Sequence, residues 1–176
     1  SPQRAPSAVR LRESPHAAAH AVPALWSAAV GAAALALFVL LAPPASGDQD
    51  SSELTLVLAF GGVPHPTGYP LYAAGGHLFA LLLHRLGATW PFAANSWSAV
   101  GGGVAIACLH AAAARLVPRE ARMRRGERFA WALLPAALFA LDPVWTMSAS
   151  LAEIHSWHLA WVGVACLTFL YLASSE

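Results

Sequence analysis

The chain predicts an all-α membrane protein, and three features lead there. Of its 176 residues, 57% are hydrophobic and only 11% charged, with a mean hydropathy of +0.54; soluble domains carry about 25% charged residues. The apolar residues fall in long runs, several of them near the ~20 residues that cross ~30 Å of hydrocarbon. The charges collect in short stretches between those runs, acids at 48–53 and arginines at 119–128. The expectation is about four transmembrane helices plus one helix lying at the outer interface. A net charge of +1 gives no purchase on nucleic acid. Cys108 and Cys166 sit inside apolar runs, which suits small packed residues better than a disulfide framework or a metal knuckle.

Residues 1–23 are rich in Ala, Pro, Ser and His, with Arg4, Arg10 and Arg12 against Glu13. No 3.6-residue apolar stripe holds there, so a disordered cytoplasmic tail is expected. Ala24 to Ala42 is uncharged and too long for the apolar core of a signal peptide. It reads as the first span, stopped by Pro43 and Pro44. Arginines before it and acids after it place the N-terminus in the cytoplasm and residues 44–91 outside.

Within that outer stretch, Asp48, Asp50 and Glu53 cluster ahead of a His-Pro-Thr-Gly-Tyr-Pro turn at 65–70. Leu54–Val63 is apolar but short and broken by glycine. Leu71–Leu86 has helical character yet carries His77, His84 and Arg85. It is short for a span and reads as interfacial, with a full crossing as the alternative. Phe92–Val117 is the second span. The loop at 118–128 then holds Arg119, Arg122, Arg124, Arg125 and Arg128 against Glu120 and Glu127, and such a loop belongs in the cytoplasm. Spans at 129–144 and 157–173 follow, with Trp145, Trp157 and Trp161 as interface aromatics and Glu153 in a second outer segment. Asp50, Glu53, His65, His77, Glu153 and His155 thus fall on one side.

Those residues carry a resemblance. Asp50-Ser51-Ser52-Glu53, His65-Pro66-Thr67-Gly68-Tyr69-Pro70-Leu71-Tyr72, Asn95 with Ser98-Ala99, and Trp145 with Ala152-Glu153 occur in that order. The set resembles a bacterial multi-spanning family known as a domain of unknown function, whose pattern reads D-x-G-E, H-P-P-G-Y-P-L-Y, N-x-x-S-A and A-E-x-Y. That family is similar to the protein O-mannosyltransferases of the GT-C superfamily. The resemblance covers about residues 24–173, the N-terminal portion of a GT-C-type helical fold, and implies a fragment of a longer protein in a bacterial inner membrane. Ser52 stands for the usual Gly, Thr67 for the second Pro and His155 for the Tyr.

The resemblance implies transfer of a sugar from a polyprenyl-phosphate carrier to an acceptor polypeptide or glycan outside the membrane. It puts the general base on Asp50; Glu53, three residues on and on the same side of a helix, would orient the acceptor or Asp50, and substrate contacts are expected from His65, Tyr69, Tyr72, Arg85 and Glu153. A desolvated carboxylate at a lipid boundary is a stronger base, and a cation must meet the leaving phosphate; His65, His77 and Arg85 are the candidates. No cofactor is expected: Asp48-Gln49-Asp50 is a D-x-D of the sort that holds divalent metal in some GT-C enzymes, but two carboxylates are few for such an ion. The His155–His158 spacing would also suit a metal or haem pair, though interfacial histidines are more often structural. Gly101-Gly102-Gly103 lies in a span and suits a helix contact. Two other classes stay open, a non-catalytic membrane scaffold and a transporter-like subunit. Against the latter, His110 is the main ionisable group at mid-depth.

Overall fold

The computed structural model describes residues 15–47, 50–66, 69–117 and 124–173. Seven helices follow in order among them: α1 Pro15–Leu41, α2 Asp50–Phe60, α3 Pro70–Arg85, α4 Trp90–Leu116, α5 Arg125–Ala140, α6 Pro143–Ser150 and α7 His155–Ala173. Three are long and apolar enough to cross a membrane (α1 from Ala24, α4 and α7), and a fourth crossing results if α5 and α6 count as one bent span. This is an all-α integral membrane protein.

Helix α4 is the axis. Half of it is buried inside the protein, against 22% of the spanning part of α1 and 11% of α7. Its start is set by Thr89, whose hydroxyl accepts from Phe92 N at 3.3 Å, with Pro91 in the first turn, where its missing N–H costs nothing. Its glycine triplet explains the packing. A Cβ on Gly103 would come 2.9 Å from Gly31 O, one on Gly102 2.9 Å from the Phe38 ring, and one on Gly101 2.9 Å from Trp157. Successive residues point about 100° apart on a helix, so the three glycines admit α1 on one side and α7 on the other. The outer face of α7 keeps Trp161, Val162, Phe169 and Leu172 exposed, as lipid requires.

The acidic and basic segments lie at opposite ends of α4. Thr89 Oγ1 donates to Pro44 O at 3.2 Å, tying the α4 start to the segment that leads into α2, while Arg115, in its last turn, sits over the Tyr171 ring at 5.3 Å. With 27 residues in α4, about 40 Å separates these ends.

Two boundaries differ from expectation. Helix α1 begins at Pro15, inside the stretch taken as a tail; residues 1–14 lie outside the described set. The expected span 129–144 stops at Ala140, bends by 74° and restarts at Pro143. Asp142 Oδ1 accepts from Trp145 N at 2.9 Å, an N-cap with proline at N1, so the local chemistry favours a new helix over continuation. Helix α3, with 16 residues, is too short to span. It lies along the first turns of α4 by burying Tyr72, Gly76 and Ala80, with Gly76 against Trp97 and His84 stacked on Trp90 at 3.9 Å.

Candidate functional site: carboxylates gathered at one end of the bundle

The site begins with the first turn of α2. Gly47 N donates to Ser51 Oγ at 3.2 Å and Ser52 Oγ donates to Gly47 O at 2.5 Å, which fixes the chain just ahead of Asp50 on the helix. Apolar α2 residues Leu54 and Leu58 are buried against Tyr72, Ala80, Ala93 and Ala94, while in the first turn Asp50 is exposed and Glu53 half-buried. Asp48 lies outside the described residues.

Glu53 holds the next turn of chain. Its Oε1 accepts from His65 N at 2.6 Å, and its Oε2 faces His65 Nδ1 at 3.0 Å. The His65 backbone N–H, then its ring, keep the Glu53 carboxyl below its ordinary pKa. His65 meets the Tyr69 ring edge-on at 6.1 Å. Tyr69 itself has φ 36°, the left-handed region, which costs a non-glycine residue about 1–2 kcal/mol. Pro70, at the α3 start, and the His65 contact hold it there; such strain collects at ligand-binding turns.

Ligand atoms of Asp50, Glu53 and His65 lie within 4.8 Å of one another. The donor types, two carboxylates and an imidazole, would suit a zinc-like ion in number and kind. As arranged, Glu53 Oε2 faces His65 Nδ1 and Glu53 Oε1 accepts from His65 N, so an ion would have to share the Glu53 oxygens with these bonds. Among the described residues His155 and His158 form no such group.

A buried polar hub stands beside this cluster. Asn95, with no exposed surface, donates from Nδ2 to Pro43 O at 2.9 Å and Ala45 O at 3.1 Å, and accepts from Ala152 N at 2.8 Å. One turn on, Ser98 Oγ donates to Glu153 O at 2.9 Å and accepts from Glu153 N at 3.0 Å. Trp157 Nε1 donates to Trp97 O at 2.9 Å. Glu153 is thereby fixed on the α6–α7 connection. Its carboxyl is pushed above the usual range by burial; the nearby His155 opposes that, and Asp50 adds to it. Tyr72 is buried, and its hydroxyl pKa is raised by burial, with Ser98 and Glu153 as its neighbours. That hydroxyl has no hydrogen bond of good geometry among the described residues.

Asp50, Glu53, His65, Tyr69, Tyr72 and Glu153 are therefore gathered at one end of the bundle. Arg85 is not. It is exposed in the last turn of α3, about 22 Å along the helix from Pro70. His77 turns to the far end of α2, with Nδ1 on Leu58 O at 2.8 Å, and lines a separate hollow with Gly61, Gly62 and Pro70. His110 is held by Ser27 Oγ at 2.9 Å and Phe129 O at 3.2 Å, a structural tie between α1, α4 and α5. The roles of Asn95 and Ser98 were not foreseen beyond the motif they belong to; polar residues inside an otherwise apolar run were the available signal.

No curated protein and no solved structure matches this chain. Residues 50–176, which begin at the first carboxylate of the site and take in every helix from α2 onward, match the family described as protein O-mannosyl-transferase TMEM260 N-terminal domain, and the chain belongs to that family.

Proposed function

We propose that this end of the bundle is the acceptor-activating part of a membrane glycosyltransferase, which moves a sugar (mannose, by the family's description) from a polyprenyl-phosphate carrier to a hydroxyl of an acceptor polypeptide on the extracytoplasmic side. The observation that carries this reading is the gathering of Asp50, Glu53 and His65, whose ligand atoms lie within 4.8 Å of one another, at a turn that Glu53 holds through His65.

The reaction is a displacement. The acceptor oxygen attacks C1 of the sugar, the bond from C1 to the carrier phosphate oxygen breaks, and the acceptor proton passes to Asp50. Glu53 is already committed to His65, so it orients the turn rather than taking the proton. His65 stands nearest this pair and would meet the leaving phosphate when protonated; Arg85 is too remote for that role in this arrangement. An apolar groove of about 590 Å³ between α1 and α6, lined by Leu37, Leu41, Leu141 and Met147, opens beside Pro43, whose carbonyl Asn95 binds. It supports a lipid-linked donor.

The test is transfer of radiolabelled mannose from polyprenyl-phosphate mannose to acceptor peptide by membranes containing the protein. Loss of a general base costs about 10²–10⁴ in rate, so Asp50→Asn should fall by at least that lower factor with normal insertion. Wild-type turnover by Asp50→Asn would exclude the assignment.

A further inference from the structure

We infer that Asn95 is a positioning residue for transfer, a side chain whose hydrogen bonds set the two carboxylate-bearing segments against each other. The inference rests on Asp50 and Glu153 being the working carboxylates.

The geometry is specific to a carboxamide. Pro43 O and Ala45 O can only accept, and Ala152 N can only donate, so the orientation of the Asn95 amide is fixed by its partners. All three bonds use one short planar group with two donor hydrogens and an acceptor. Other bonds hold each segment singly: Thr89 binds Pro44 O and Ser51 and Ser52 bind Gly47 on the first, and Ser98 binds Glu153 on the second. Residues 42–47 form no helix or strand, and Pro43 and Pro44 have no backbone N–H to offer. Residues 151–154 are likewise a connection between helices. The first segment leads into Asp50 and the second carries Glu153 next to Ala152. Ser98 binds on the Glu153 side; among the described residues Asn95 is the side chain whose hydrogen bonds reach both. A displacement of about 1 Å at such a site costs near 10²-fold in rate.

The variants Asn95→Asp and Asn95→Leu separate positioning from folding. In Asn95→Asp the introduced carboxyl still accepts from Ala152 N but loses both donors. Ionised, it repels the two carbonyl oxygens; protonated, it gives back one O–H to Pro43 O or Ala45 O. Transfer by Asn95→Asp should therefore be about 10²-fold below wild type at pH 8 and recover at least tenfold towards pH 5.5, relative to wild type at each pH. Asn95→Leu should stay low throughout. The loss should appear in kcat, with KM for the acceptor peptide little changed. If Asn95→Leu fails to fold, the pH profile of Asn95→Asp decides alone. Parallel pH profiles for Asn95→Asp and wild type, or wild-type kcat in Asn95→Leu, would overturn the inference. Asp50→Asn, measured alongside, keeps the two questions apart: full activity there sinks the underlying reading, whereas an inactive Asp50→Asn with an active Asn95→Leu sinks only the role of Asn95.

Discussion

Glu53 binds His65 at two points, through the backbone N–H at 2.6 Å and the ring at 3.0 Å, and so closes the chain between α2 and α3 into a loop whose far end is the strained Tyr69. The carboxylate is the shared acceptor, and its charge is what makes the grip. Because the Glu53 pKa is depressed in the folded state, its contribution is fully present above the ordinary carboxyl range and is lost as pH falls through the depressed value. The protection factors of the Gly62, Val63 and His65 amides, exchange rates corrected for their intrinsic pH dependence, should be unchanged from pH 8 to pH 5 in detergent and should fall below about pH 4. Glu53→Gln should show the lower protection from pH 8 to pH 5 and match wild type once Glu53 is protonated; wild-type protection in that variant would mean the loop is held by something else.

Glu153 behaves in the opposite sense. Burial raises its pKa, so ionising it opposes folding, and stability declines as pH rises through and above the ordinary carboxyl value. Glu153→Gln removes that charge at nearly constant shape. Its midpoint of thermal unfolding should match wild type near pH 4 and lie above it at pH 7.5, while transfer falls if the carboxylate meets the acceptor. A lower midpoint at pH 7.5 would show that the ionised form is needed for the fold.

Asp50 contributes to the raised pKa of Glu153 through its charge. Removing that charge with Asp50→Asn should therefore bring the Glu153 titration down, read by the carboxylate infrared band of wild type against the variant. No movement would place the two groups too far apart to share an acceptor.

The spanning helices were legible because hydrocarbon thickness acts on composition directly: α1 from Ala24, α4 and α7 are each a continuous apolar run. The break at 141–142 was legible in principle, since Asp142-Pro143 is an N-cap followed by a helix-starting proline, but the apolar run through Val144 masked it. The start at Pro15 was missed because alanine-rich sequence carries helix propensity without an apolar stripe. In the site, the motifs name the segments that Asn95 and Ser98 hold together. Their order did not show that Asn95 joins them, because its bonds reach residues more than fifty positions away in sequence, and no local pattern reports such a contact. Arg85, chosen as an outer cation with a planar fork, lies at the other end of α3 from Pro70, a separation that only the length of the helix reveals.

The approach of α1 to α4 is a place where one methyl group should matter. A Cβ on Gly31 would sit 2.7 Å from Gly103 O, and one on Gly126 would meet nothing within 4 Å. Gly31→Ala should cost about 1–3 kcal/mol through overpacking, whereas Gly126→Ala, in the first turn of α5, should be neutral or stabilise by up to about 1 kcal/mol. Reversible unfolding in mixed detergent reads both. Equal effects would mean that α1 and α4 are not held by this contact.

The length of α4 makes the proposed sidedness testable. Its first turn binds the segment leading to Asp50, and about 40 Å away its last turn leads to the arginine-rich loop before Arg124. With α4 crossing upright, a separation above ~30 Å of hydrocarbon would put these two sites in different aqueous compartments, and the positive-inside rule would assign the arginines to the cytoplasm. Single cysteines placed at the exposed positions Asp50 and Arg124, with Cys108 and Cys166 replaced by serine, give a direct reading in sealed vesicles of known orientation. An impermeant maleimide should label Asp50→Cys from the extracytoplasmic face and Arg124→Cys only after the membrane is opened. Labelling of both from one face would mean that α4 does not cross, and the carboxylates would then lack the lipid boundary on which their proposed chemistry depends.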